Sequence, residues 1–169
     1  MQVGLLMGRL IYSDFVDGNA KAWGYWKGME LNGDHALIAL LAQENNIFNG
    51  GAVAANKILW ALGNYSFFIR PGYKRINVEG ADDLDTLVAS SYISPDRSRI
   101  VTVFVNSSFD EQDVALVLPA SERRALNHIS VYQTNERSDL VNVPFAARSD
   151  LMYTVPARTL ATIVFDLEK

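Results

Sequence analysis

The sequence predicts a mostly-β fold with two helices, the helices coming early and an antiparallel β-sandwich following them. Three observations point there. Apolar residues recur with helical spacing near the start and again between about residues 53 and 69. Beyond Pro71 the chain breaks into short β-rich runs separated by turn chemistry. At 169 residues, 49% hydrophobic and 20% charged, it is long and apolar enough for a real core.

Taken in order, Val3, Leu6, Met7, Leu10 and Ile11 fall at i, i+3, i+4, i+7 and i+8, one apolar stripe of a first helix. "DGNA" ends it. "KAWGYWKGM" is short and aromatic and reads as a strand. "HALIALLA" fits a strand or a helix, with a buried strand favoured, and "QENNIFNGG" has the composition of a loop. A second helix is predicted over 53–69, with Ile58, Leu62, Tyr65 and Ile69 on one face and Leu59 widening it. Pro71 cannot continue a helix and Gly72 can take positive φ, so "RPG" stops it. Eight β-rich runs follow, from "YKRINVE" to "RTLATIVFDL". In "SPDRS", Pro95 suits the second position of a type I turn, so 86–93 and 99–107 should pair as a hairpin.

The formal net charge of −4 and the scattered basic residues argue against a nucleic-acid partner, because phosphate neutralisation needs a basic surface. No run approaches the roughly 18 apolar residues of a membrane span. The first 18 residues lack a basic n-region, are interrupted by Arg9 and Asp14, and are read as structure rather than as a signal peptide. With no cysteine, disulfides and thiolate metal sites are excluded.

Candidate chemistry is sparse. His35 and His128 are the only histidines, and no G-x-S-x-G elbow accompanies them, so structural roles are favoured over a triad built with Asp34. They also make a poor start for zinc. Asp82, Asp83 and Asp85 lack EF-hand spacing and read as a solvated turn. Asn64 and Asn106 match the N-x-[ST] acceptor pattern, a weak signal. "NGGAVAANK" lacks the spacing of a phosphate loop and reads as a loop entering a helix. No metal or cofactor is expected. The densest feature is Trp23, Tyr25 and Trp26. In a strand Trp23 and Tyr25 share one face and Trp26 takes the other. Large amphipathic rings on opposite faces suit one packed side and one side at a site, although composition alone favours core packing.

"LWALGNYSFFIRPGYKRI" (59–76) resembles the joint between the last barrel helix and the β-domain of family-30 glycoside hydrolases. That pattern is aliphatic-G-x-[YF]-S-x-F-I-x-P-G, and Leu62, Gly63, Asn64, Tyr65, Ser66, Phe68, Ile69, Pro71 and Gly72 all fit it. "AWGYW" is similar to the family's last barrel strand, "YISPDRSRIVTVFVNSS" to its sandwich hairpin and "YTVPARTLATIVF" to its closing strands. The joint reads most like endo-β-1,6-galactanase-like members. The resemblance implies an antiparallel β-sandwich preceded by a remnant of a (β/α)8 barrel. Residues 1–70 would be the last helix–strand–helix unit of a TIM-like barrel: 3–16 the seventh helix, 21–27 the eighth strand, 53–69 the eighth helix. Residues 71–169 would be the sandwich. It further implies a retaining glycosidase whose paired glutamates, about 5–5.5 Å apart, lie on the fourth and seventh barrel strands.

Those strands have no counterpart here, and Glu30, Glu44 and Glu79 are not in matching positions. No catalytic residue is therefore expected in this chain, which by itself should be inactive. The family implies sugar stacking for Trp26, near the C-terminal end of the barrel, and a supporting role for Tyr25. The partner implied is carbohydrate, through the parent enzyme, in a secreted or periplasmic setting. Two other readings remain. One is a carbohydrate-binding accessory sandwich, which needs a planar row of aromatics; Tyr92, Phe104, Tyr132 and Tyr153 are the available ones, and they are spread out. The other is an interaction subunit, since an unpaired strand edge and uncovered helix faces favour self-association or pairing with the missing barrel part.

Overall fold

The computed structural model describes residues 1–43, 50–145 and 151–168. Helix α1 (Gln2–Val16) is followed by strands β1 (Met29–Leu31), β2 (Ile38–Ala42) and β3 (Gly51–Ala55), then by α2 (Lys57–Ser66). The remaining strands are β4 (Lys74–Ile76), β5 (Leu87–Ile93), β6 (Arg99–Asn106), β7 (Gln112–Ala115), β8 (Leu126–Thr134), β9 (Val141–Val143), β10 (Met152–Val155) and β11 (Thr159–Leu167). A single-turn helix α3 (Ala120–Arg124) sits between β7 and β8.

All eight β-rich runs became strands, and they form a large antiparallel sheet in the order β4-β5-β6-β11-β8-β9 faced by a β10-β7 pair. The β5–β6 hairpin forms as its turn chemistry predicts, from Leu87↔Asn106 to Ile93↔Ile100. Its turn is closed by Arg97 N–H donating to the Ser94 carbonyl at 3.0 Å. The Asp96 carboxylate accepts from the hydroxyls of Ser94 and Ser98, both at 2.8 Å.

Strands β5, β6 and β11 are buried along nearly their whole length, which means that both faces of the sheet are covered. Alternation sorts the side chains. Val88, Val101, Val103, Val105, Leu160 and Val164 point to α1 and α2. Ala89, Ile100, Phe104, Ala161, Ile163 and Phe165 point to the β7–β10 side, where Leu116, Tyr153 and Val155 meet them. The protein is thus three layers: helices, large sheet, small sheet.

The buried face of α1 differs from the predicted stripe. Leu5, Met7, Ile11 and Tyr12 are buried with Gly4 and Gly8, while Val3, Leu6 and Leu10 stay 43–51% exposed. The reason is close approach. A Cβ on Gly8 would stand 2.7 Å from Leu160 Cδ2, and one on Gly4 3.3 Å from the Lys57 carbonyl oxygen. Glycines mark the contact line, and a count of large apolar residues cannot see them. Helix α2 is shorter than predicted because 51–55 pair with β2 instead, from Ile38↔Ala55 to Ala42↔Gly51. Strand pairing overrides the helical preference of that alanine-rich stretch. Within α2 the expected face holds: Ile58 and Tyr65 are buried, and Leu62 and Ile69 pack against the same core. The "HALIALLA" segment is a strand, but its Leu41 is 45% exposed, so it is not a buried one. Gly72 takes φ +93°, as the "RPG" stop requires. Most of "QENNIFNGG" lies outside the described residues.

One fully buried polar side chain locks α2 onto the sheet. Asn64 Nδ2 donates to Thr134 Oγ1 of β8 at 2.7 Å and to the Trp60 carbonyl at 2.8 Å. Its Oδ1 accepts from Thr162 Oγ1 of β11 at 2.9 Å. Asn106 is equally enclosed, its Nδ2 donating to the carbonyls of Asp110, Val155 and Pro156. Both glycosylation-pattern asparagines are therefore interior hydrogen-bonding groups. Replacing Asn64 with Ala should remove the amide's bonds to Thr134 and Thr162, although Thr162 keeps the Asn64 backbone carbonyl and Thr134 the Leu140 N–H, and should lower unfolding stability by about 1–3 kcal/mol. Urea unfolding should show this as a lower midpoint with an unchanged slope.

Candidate functional site

The site begins where α1 ends. Residues 22–25 form no β-ladder with any described residue, so the predicted strand over 21–27 is not formed; β1 starts only at Met29. A strand needs a hydrogen-bonded neighbour, and here side chains do that work. Trp23 Nε1–H donates to Asp14 Oδ2 on the last turn of α1 at 2.7 Å. Trp23 and Tyr25 lie nearly parallel, ring centroids 6.2 Å apart and planes 12° apart, and both pack against the α1–α2 core. The Tyr25 hydroxyl donates to the His35 carbonyl at 2.6 Å.

Trp26 goes the other way and is 85% exposed. It stands at the entry to the short sheet, where β1 runs parallel to β2. Its flanks are tied to the next segment: Leu37 N–H donates to the Lys27 carbonyl and Ile38 N–H to the Gly28 carbonyl, both at 3.0 Å. Lys27 is ion-paired with Glu30. Asn56, just before α2, donates to the carbonyls of Gly33 at 3.1 Å and Ala36 at 2.8 Å, and so holds the 33–36 loop. The arrangement presents one open indole on a backbone braced from α1, α2 and β2. Such a face can stack on the flat C–H side of a sugar ring.

The other candidates disperse. His35 contributes its carbonyl, while His128 lies on β8 opposite Asp166 of β11. Glu30 is paired with Lys27, Glu79 is exposed beyond β4, and Glu44 lies outside the described residues. Asp83 accepts from the Asp85 N–H at 2.9 Å, and that backbone bond, with help from Thr86, holds its carboxyl below the usual range. Among the described residues no cluster of three acidic, histidine or cysteine side chains is placed to hold a metal ion. Of the sandwich aromatics, Tyr92, Phe104 and Tyr153 are buried, and Tyr132 packs on Phe68 at 4.6 Å. An apolar groove of about 360 Å³ lies along α2, between Trp60, Phe67 and Leu140, and shares no residue with the aromatic segment. Sequence reasoning missed Asp14 and Asn56. Asn56 carries a helix-start signal, whereas nothing marks Asp14.

No family model matches the sequence. Solved structures do match it along nearly its whole length. A conserved exported protein from Bacteroides fragilis is 32% identical over 95% of this chain and 33% of its own, with a TM-score of 0.79. The catalytic domain of a family-30 glycoside hydrolase, xylanase C from Talaromyces cellulolyticus, is 25% identical over 96% of this chain and 34% of its own, with a TM-score of 0.74. A subfamily-8 xylanase of family 30 from Clostridium acetobutylicum shares the fold at 17% identity, with a TM-score of 0.76 over 97% of this chain and 38% of its own. The likeness thus extends to portions of glycoside hydrolase domains and covers the helical part of this chain as well as its sandwich. In particular, the chain is similar over 96% of its length to part of a family-30 glycoside hydrolase domain, which supports its reading as a C-terminal portion, a barrel remnant joined to a β-sandwich. It spans about a third of the length of the structures it matches. Among the described residues no helix is long and apolar enough to cross a membrane.

The two tryptophans of the segment should respond differently to removal. Trp26→Ala should change unfolding stability by no more than about 0.5 kcal/mol, since the ring is exposed. Trp23→Ala should lose about 1–3 kcal/mol with its stack, its packing and its hydrogen bond. Denaturant titration of both variants beside the parent chain decides the matter; equal losses would contradict this division.

Proposed function

We propose that this chain is the C-terminal part of a retaining O-glycosyl hydrolase that acts on a β-linked plant or microbial polysaccharide. Its catalytic glutamates would come from barrel strands outside residues 1–169. Residues 1–70 would supply the last helix–strand–helix unit of the barrel and 71–169 the sandwich. The observation that carries the reading is Trp26. It is a fully presented indole on a braced segment, in a fold that matches a family-30 xylanase domain. In the complete site its ring would stack on the sugar at the cleaved bond. Tyr25, with its hydroxyl held by His35 and its ring on Trp23, would support that position from behind. The character of the 59–76 joint supports β-1,6-galactan as the glycan, whereas the matched enzymes are named for xylan. An exported setting is supported by the description of the Bacteroides fragilis protein.

Purified chain is expected to give no turnover on β-1,6-galactan, β-1,4-xylan or β-1,3-glucan, measured as reducing ends released. Turnover that disappears on Glu30→Gln or Glu79→Gln would place the chemistry inside the chain and overturn the reading.

The exposed stripe of Val3, Leu6 and Leu10 favours a partner on the outer side of α1. Covering it with the rest of a barrel, or with a second copy, would bury apolar surface otherwise left in water. Light scattering should report a mass above that of the monomer, returned to the monomer value by Leu6→Glu with Leu10→Glu. A monomer at every concentration would exclude self-association.

A further inference from the structure

We propose that Asp14 is a positioning residue for Trp26, acting through Trp23 and Tyr25. The proposal rests on the reading of Trp26 as a sugar platform and adds what holds that platform still.

The geometry points to a relay of four contacts. Helix α1 is clamped to the large sheet by Gly8, Ile11 and Tyr12, so its last turn is a fixed point. Asp14 on that turn accepts the Trp23 indole N–H at 2.7 Å, a short bond to a charged acceptor. Trp23 then stacks on Tyr25, and Tyr25 is pinned at its far end by the His35 carbonyl at 2.6 Å. Trp26 is the next residue. Because 22–25 have no ladder among the described residues, the direction of this backbone depends on those side chains. An exposed indole on a loose segment would have to be ordered at each binding event, which weakens affinity; one held in place avoids that loss. Asp14 touches no sugar in this scheme. It sets the angle and the stillness of the residue that does.

The test uses the full chain labelled with nitrogen-15 and three variants. Asp14→Ala removes the acceptor. Asp14→Asn keeps an acceptor oxygen at the same place. Trp23→Phe keeps a ring to stack on Tyr25 but has no N–H to give. Without sugar, heteronuclear relaxation of the Trp26 indole and of the amides of 23–28 should show added fast motion in Asp14→Ala and Trp23→Phe. Asp14→Asn should match the parent, and the amides of β6 and β11 should be unchanged in all three. Titration with xylotetraose and with a β-1,6-galactotetraose, followed at the Trp26 indole, should show affinity about three- to tenfold weaker in the first two variants, the scale of one hydrogen bond's net worth. If Trp26 is as ordered in Asp14→Ala as in the parent, the positioning role is overturned whatever the sugars do. If the order changes as expected but neither sugar binds the parent chain, the mechanical link stands and Trp26 is no sugar platform in this chain by itself. A uniform rise in mobility across β6 and β11 would show that Asp14 serves general stability, and would also overturn the proposal.

Discussion

The buried amide of Asn64 is the constraint on which the rest of this molecule depends. A helix can lie on a sheet at many angles for similar apolar burial, because the hydrophobic effect is non-directional. Hydrogen bonds from one side chain to two adjacent strands remove that freedom. Asn64 reaches Thr134 on β8 and Thr162 on β11, and the Thr162 hydroxyl also lies 2.8 Å from the Asn64 carbonyl. One residue later, the Tyr65 hydroxyl donates to the Gly8 carbonyl of α1 at 3.2 Å. Burial, with Tyr92 nearby, holds the Tyr65 phenol far above its ordinary range, so it remains a neutral donor. The position of α2 therefore passes directly to α1.

From α1 the same logic reaches the candidate site. The helix can sit close to β6 and β11 only because Gly8 leaves room for Leu160 and Val105. That placement brings Asp14 beside Trp23. On the other side, Asn56 at the start of α2 fixes the loop that supplies the His35 carbonyl to Tyr25. The aromatic segment is thus held from both helices, by groups whose own positions are set in the core. Trp26 is left as the one ring of the three with its face open, on a support that owes little to strand pairing.

Much of the sandwich was legible in advance. Its strands alternate, its turns carry Pro95, Gly72 and Ser or Asp at the needed positions, and such signals are local. The 59–76 joint was legible because its residues do several jobs at once, Asn64, Tyr65 and Phe68 among them, and so the pattern is distinctive. What was not legible depended on distant partners. Residues 53–55 read as the start of the second helix, yet they are part of a strand, 51–55, by pairing with β2. The inner face of α1 is written in glycines, whose meaning appears only when Leu160 and Lys57 arrive opposite them. Asn64 and Asn106 look like glycan acceptors until their surroundings are known, and then they are interior hubs.

The same division runs through the site. The sequence by itself determined that two tryptophans and a tyrosine would crowd one short segment and that no cysteine chemistry was available; its split of Trp23 and Tyr25 from Trp26 rested on a strand that does not form. Only the tertiary structure decided which ring is open. Exposure is a property of what packs nearby, and the groups that engage Trp23 and Tyr25 stand nine and ten residues away, on a helix and a loop brought together by the core. Local sequence carries backbone preference and periodicity; the closing of long loops brings Asp14, His35 and Asn56 to one place, and that follows from the packing of the whole chain.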